Sequence, residues 1–171
     1  MDRNEYLQLF DEHHLPLYRF AYRMTGSVAD AEDVVQECFL ELLRPGCSYD
    51  AKRTPIRTYL FGVVRNQSLK RVGQGALPVA ESATARTPEC DVLRTELERA
   101  VARAVTQLPE GQKEALILAH YEQMSLAEIA RVMEIEVTAV KSRLQRARAH
   151  LKETLAAYAP ASFERDGERK R

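Results

Sequence analysis

The sequence predicts an all-α chain: two small helical domains joined by a flexible linker, with a helix-turn-helix in the C-terminal one. Three observations predict it. Apolar residues recur at intervals of three and four along most of the chain, and no stretch alternates like a strand. Residues 73–87, GQGALPVAESATART, offer little to bury and are rich in glycine, alanine and small polar side chains, as a linker would be. Residues 125–151, SLAEIARVMEIEVTAVKSRLQRARAHL, read as two short helices around a tight turn.

The elements follow in order. Tyr6, Leu7, Phe10, His14, Leu15, Tyr18, Ala21, Tyr22 and Met24 repeat at helical spacing, and Gly26 ends that segment. Ser27 suits the cap of the next helix, and Asp30, Glu32 and Asp33 enrich its first turn in acid, which complements the helix dipole. Val34, Val35, Cys38, Phe39, Leu42 and Leu43 form its apolar stripe, and Pro45 and Gly46 close it. A loop from Cys47 to Pro55 leads into a helix running from Ile56 to Val72, with Tyr59, Leu60, Val63, Val64 and Leu69 inward. Past the linker, helical patterning resumes near Pro88 and continues to Gln107 through Val92, Leu93, Leu97, Val101 and Val105. Pro109 opens a further helix reaching Glu122. Ser125 and Glu128 make a capping box. Leu126, Ile129, Ala130 and Met133 then share one face, Ile135 plugs the turn, and Val137, Val140, Leu144, Ala147 and Leu151 mark the buried stripe of the last helix. The chain divides into a first domain over 1–74, a linker over 75–90, a second domain over 91–158 and a charged, disordered tail over 159–171.

Charge narrows the function. The 25 basic and 25 acidic residues cancel, so any nucleic-acid surface is local and leaves acid elsewhere for a second, basic partner. Cys38, Cys47 and Cys90 show no CxxC pairing and no zinc-ligand spacing with histidine, so reduced thiols and no metal or cofactor are expected. The N-terminus, MDRNEYLQLFDEHH, lacks the apolar core of a signal peptide, and no run reaches membrane-span length. A soluble cytoplasmic protein is therefore expected. No nucleophile–base grouping, glycine-rich phosphate loop or metal constellation points to an enzyme.

Within the helix-turn-helix the charges are segregated. The last helix carries Lys141, Arg143, Arg146, Arg148 and Lys152, whereas Glu110, Glu114, Glu122, Glu128, Glu134 and Glu136 dominate the helix before it and its approach. With the apolar stripe inward, Thr138, Lys141, Ser142, Gln145 and Arg146 lie on or near the outer face, and Arg143 and Arg148 on its flanks. These are donor-rich side chains suited to base edges and phosphates. A basic helix face is also compatible with simple solvation; the clustering of cations on one helix of the pair favours DNA. A second basic stretch runs from Ala51 to Ala80, where Lys52, Arg53, Arg57, Arg65, Lys70 and Arg71 face no acid in sequence. Its Asn66 and Gln67 offer amides suited to base edges, and its Tyr59 reads as core while Phe61 is open between core and base stacking.

These blocks resemble a known family. LPLYRFAYRMTGSVADAEDVVQECFLELL, with its DAEDVVQE string, is similar to the core helices of extracytoplasmic-function (ECF) sigma factors; PIRTYLFGVVRNQSLKRV resembles the promoter-melting helix that follows; LPEGQKEALILAHYEQMSLAEIARVMEIEVTAVKSRLQRARAHL resembles the C-terminal helix-turn-helix. The resemblance implies a subunit that binds core RNA polymerase, at the clamp of the largest subunit and the flap of the second-largest, and directs it to promoter DNA. It places polymerase contact on the acidic ridge Asp30, Glu32, Asp33, Gln36, Glu37 and Glu41. It places the −10 element, read as single strand, on Arg57, Arg65, Asn66, Gln67, Lys70 and Arg71, and the −35 duplex on Thr138, Lys141, Ser142, Arg143, Gln145, Arg146 and Arg148. It also implies an anti-sigma factor as a partner. A free-standing transcriptional regulator binding duplex DNA without polymerase is the alternative. This chain departs from the family pattern at Tyr59, where Trp is usual; at Glu134, usually Gly; at Glu136, usually Ser or Pro; and at Thr138, usually Gly. Glu134 must avoid or tolerate a left-handed backbone, and Glu136 is a weak N-cap.

Overall fold

Local capping sets most of the helix boundaries. In the computed structural model, which describes residues 2–73 and 96–158, helix α1 spans Arg3–Thr25 and α2 spans Val28–Leu43. Asp2 and Glu5 form a capping box at the start of α1, and Gly26 ends it in the left-handed region at φ 72°. The Ser27 side chain accepts from the Asp30 amide at 3.2 Å to start α2. Helix α3 spans Ile56–Gly73, α4 Glu96–Thr106, α5 Glu110–His120, α6 Leu126–Met133 and α7 Val137–Thr154, with a short 3-10 turn over Ala156–Tyr158. The expected linker 75–90, the tail 159–171, Cys90 and the helical patterning expected from Pro88 to Thr95 lie outside the described residues. Helix α5 stops at His120 rather than Glu122, because the chain turns there through Gln123 at φ 52°.

Helices α1, α2 and α3 pack on one another around Leu17, Phe20, Val34, Phe39, Leu60, Phe61 and Val64. Helices α5, α6 and α7 pack around Ile117, Leu118, Ile129, Met133, Val140 and Leu144. Helix α3 lies against α6, and the two sets of buried side chains form one continuous cluster. A smaller cluster of Leu108, Leu116 and Ala147, edged by Val105 and Leu151, fastens α4 to the rest. The two halves are thus packed together, a question the sequence leaves open. Cys38 is part of this core, and burial pushes its thiol up to about 12.

Packing corrects the expected inward faces at three places and settles a fourth that the sequence leaves open. In α1, Leu7 and Leu15 are exposed, whereas Leu17, Phe20 and His13 are buried. Aromatic and aliphatic residues occur on several sides of this helix, so its periodicity does not fix a phase; the facing surfaces of α2 and α3 choose it. Leu43 is exposed beside buried Leu42, because successive helical residues point about 100° apart. Phe61, open in the sequence, is fully buried with its ring 5.3 Å from that of Phe20. Tyr59 is only half-buried: its ring lies 5.2 Å from Tyr49, and its hydroxyl is 3.1 Å from Ser48 Oγ.

Candidate functional site

The acidic ridge is built by the start and outer face of α2. Glu32, Asp33, Gln36 and Glu37 are exposed, and Asp30 and Glu41 are half-buried. One cation from α3 sits among them. Arg71 donates from Nη1 to Asp33 Oδ2 at 3.1 Å and to Asp30 Oδ1 at 3.4 Å, and from Nη2 to Glu37 Oε1 at 3.3 Å. Burial pulls the Arg71 pKa down, but its bond to Asp33, the Glu37 charge and its bond to Asp30 outweigh that and raise it. Gln67, oriented so that its amide nitrogen donates, reaches the Val34 carbonyl at 3.0 Å and Glu37 Oε2 at 3.3 Å. Two of the α3 residues expected at the −10 element therefore lie on the ridge expected to meet polymerase.

The rest of α3 faces the second half of the chain. Arg65 Nε donates to Glu114 Oε1 on α5, with Glu114 almost fully buried. Arg57 donates to the Glu122 carbonyl and stands 3.7 Å from its carboxylate. Burial raises the pKa of both Glu114 and Glu122, while Arg65 and Arg57 respectively pull them back down. Asn66 and Lys70 are exposed. They line a groove of roughly 430 Å³ with Ser48 and Tyr59 on one side and Arg131 and Glu134 of α6 on the other. Thr58 also lines it; its hydroxyl is buried and has no hydrogen-bond partner among the described residues.

The sequence does not reveal Glu114 and Glu122 as partners of α3, since both read simply as part of an acidic approach. A signal was present for Glu114: it begins the run EALIL, whose residues are all buried. A carboxylate inside such a run demands a partner.

Helix α7 presents its side chains differently. Val140, Leu144 and Ala147 are buried, and Thr138, Lys141, Ser142, Gln145, Arg146 and Arg148 are exposed. No carboxylate among the described residues forms an ion pair with Lys141, Arg146 or Arg148. Arg143 is half-buried against α5, where a Cβ added to Gly111 would lie 2.8 Å from its Nη1. Its guanidinium therefore lies directly over Gly111 and would have to shift to admit a larger residue there. The turn before α7 is held by local chemistry. Ser125 and Glu128 complete their capping box at the start of α6, and hydrogen bonds from Ser125 hold the Glu128 pKa down. Glu134 closes α6 in the left-handed region at φ 54°, ψ 43°, so it tolerates the conformation for which Gly is usual. Glu136 sits at the N-cap of α7 with no side-chain capping bond.

Family comparison covers both halves. The Sigma-70 region 2 family matches residues 9–76 and the Sigma-70 region 4 family matches residues 98–151. The chain is 36% identical over 154 residues to the ECF RNA polymerase sigma factor SigL of Mycobacterium tuberculosis, covering 86% of each chain. It is 26% identical over 170 residues to the ECF RNA polymerase sigma factor SigW of Bacillus subtilis, covering 90% of each. Among solved structures it is similar to CnrH in complex with the cytosolic domain of CnrY, at TM-score 0.70 and 26% identity over 92% of both chains. It also shares its fold with RpoE, solved with the anti-sigma factor NepR from Bartonella quintana, at TM-score 0.72 and 21% identity over 91% of this chain and 99% of that one.

Proposed function

Because the chain belongs to the extracytoplasmic-function RNA polymerase sigma factors, proteins that bind core RNA polymerase and direct it to specific promoters, we propose a division of that work between its helices. The ridge Asp30, Glu32, Asp33, Gln36, Glu37 and Glu41 meets a basic surface of the polymerase clamp, with exposed Leu40 and Leu43 beside it as the apolar part of the contact. Charge complementarity there steers docking and sets specificity more than it adds affinity. Helix α3 holds the unwound −10 strand. A base leaving the stack costs a few kcal/mol, which the protein must offset with amides, hydroxyls and phosphate contacts. The groove beside α3 supplies Asn66, the hydroxyl of Thr58, which has no hydrogen-bond partner among the described residues, and the cation of Lys70. Helix α7 reads the −35 duplex, with Lys141, Gln145 and Arg146 toward the bases and Arg143 and Arg148 toward phosphates. The second domain also meets the flap of the second-largest subunit.

The observation that carries this reading is the outer face of α7: donor-rich and exposed, its Lys141, Arg146 and Arg148 in no ion pair among the described residues, above the buried Val140, Leu144 and Ala147. An anti-sigma factor is the expected regulator, and both solved relatives were captured with such a partner or with the cytosolic domain of another protein. The chain works in the cytoplasm as a binding subunit with no catalytic step of its own. Among the described residues no helix is long and apolar enough to cross a membrane.

In vitro transcription with core enzyme tests the proposal. Added chain is expected to give core a defined set of start sites, while alone it binds promoter duplex poorly. Tight, sequence-specific duplex binding by the chain alone, with no effect on core, would instead favour a free-standing regulator.

A further inference from the structure

We propose that Arg71, with Gln67 beside it, is a positioning residue for polymerase docking: from the end of α3 it holds the carboxylates of Asp30, Asp33 and Glu37 in one fixed array, so that the ridge of α2 meets its basic partner already arranged. This rests on the reading of the ridge as the polymerase contact.

The spacing on α2 creates the need. Asp30, Asp33 and Glu37 follow one another at intervals of three and four residues, so they share one face, with Cβ atoms about 5–6 Å apart from one member to the next. Like charges at that separation repel, and each unheld side chain would turn into water in whichever rotamer parts it from its neighbour. Arg71 answers both problems from outside the helix. A guanidinium is planar and offers its N–H groups in a fixed fork. Here Nη1 serves Asp33 and Asp30 while Nη2 serves Glu37. Gln67 takes the other Glu37 oxygen, Oε2, and is itself anchored on the Val34 carbonyl. Both donors come from a helix whose phase is fixed by the buried Leu60, Phe61 and Val64. The array therefore inherits the rigidity of the packing between α2 and α3.

The carboxylates are held without being used up. The side chains of Asp33 and Glu37 remain 59% and 55% exposed, whereas that of Arg71 is 26% exposed. The cation lies deeper and the acids face solvent. Asp33 Oδ1 accepts no hydrogen bond among the described residues, which leaves it for an outside donor. Helix α3 thus divides its polar side chains: Asn66 and Lys70 line the groove, Gln67 borders both surfaces, and Arg71 lies on the ridge.

Arranging the acids in advance matters because docking otherwise has to immobilise them, at a loss of several-fold in affinity for each side chain. Arg71 also subtracts one unit from the charge of the ridge, which weakens its long-range attraction to a basic surface. The two effects have opposite signs and fall on different rate constants. Charge acts on association, and order at the interface acts on dissociation.

Binding of the full chain to core polymerase, followed by biolayer interferometry at low and at physiological salt, tests this. Arg71→Ala is expected to associate at an unchanged or faster rate, most visibly at low salt, and to dissociate about three- to tenfold faster. Arg71→Lys keeps the charge but not the fork, so it should restore the association rate and only part of the residence time. Gln67→Ala should shorten residence less than Arg71→Ala does. Circular dichroism checks the fold of each variant. Saturated holoenzyme is then titrated with promoter DNA unwound across the −10 element, where Arg71→Ala is expected to lose nothing. A wild-type dissociation rate for folded Arg71→Ala would overturn the proposal, and so would a loss confined to the DNA titration, which returns Arg71 to the strand. Asp33→Arg judges the ridge itself. If that variant keeps full affinity for core, the ridge is no polymerase contact and the proposal falls with it; if it loses affinity while Arg71→Ala does not, only the positioning role falls.

Discussion

Helices α3 and α7 are both basic, yet they treat their cations in opposite ways. In α3, Arg57 and Arg65 pair with glutamates of the second half, and Arg71 pairs with α2. In α7, Lys141, Arg146 and Arg148 stand in solvent with no ion-pair partner among the described residues. The difference follows from what surrounds each helix. Helix α3 is central: it packs against α1 and α2 on one side and α6 on another, so few of its faces remain free. Helix α7 buries one stripe against α5 and α6 and leaves the remainder exposed. Equal charge therefore leaves an exposed cationic face on one helix and an occupied face on the other. If α7 reads duplex DNA and α3 a single strand, as proposed, the duplex finds exposed cations on α7, whereas the strand finds Arg57 and Arg65 of α3 already paired with carboxylates.

The comparison breaks most visibly at Phe61. Its ring is core, so Phe61→Ala should cost about 3–5 kcal/mol of stability by chemical denaturation. If the ring stacked on a base instead, the same variant would keep its stability and lose only single-strand binding. On α7 the expectation reverses. Arg146→Ala should leave the denaturation midpoint unchanged and weaken binding to a −35 duplex by about 1–3 kcal/mol, measured with holoenzyme; a loss that is uniform across sequences would reassign Arg146 to phosphate.

A smaller effect tests the shared ridge. Arg71 is partly exposed and bridges three carboxylates, so Arg71→Ala should cost up to about 1 kcal/mol of stability, as exposed ion pairs do. Asp33→Arg should weaken affinity for core polymerase with the fold intact, and unchanged affinity removes Asp33 from the contact. The smallest effect belongs to the turn before α7. Glu134→Gly relieves a left-handed backbone at φ 54° and should raise stability by about 0.5–1 kcal/mol in a thermal or denaturant melt. A loss of stability would mean that the Glu134 side chain contributes more than its backbone costs.

Much of this protein was legible without coordinates. Ser27, Ser125 with Glu128, Gly26 and the Pro45–Gly46 pair mark helix ends through bonds and dihedral preferences among residues close in sequence, and the helices begin or end there. The outward set on α7 was equally legible, because a narrow apolar stripe leaves one phase. Pairings across the chain were not. Arg65 lies 49 residues from Glu114, and Arg57 lies 65 from Glu122, and no local pattern records which distant acid a given arginine will meet. The inward face of α1 was ambiguous for a related reason, since Leu7, Leu15 and Tyr18 compete with Leu17 and Phe20 for the core.

By itself, then, the order of residues determined seven helical segments in outline, most of their stops though not that of α5, the acidic run on α2 and the outward donors of α7, all of which depend on neighbours within a turn or two. Tertiary structure alone decided which side of α1 is inside, that Phe61 belongs to the core and Tyr59 to a groove, and that three α3 arginines are already engaged. The physical reason is range. Hydrogen bonds at helix ends and backbone preferences act locally, whereas burial and charge pairing are settled only when distant surfaces compete for the same space.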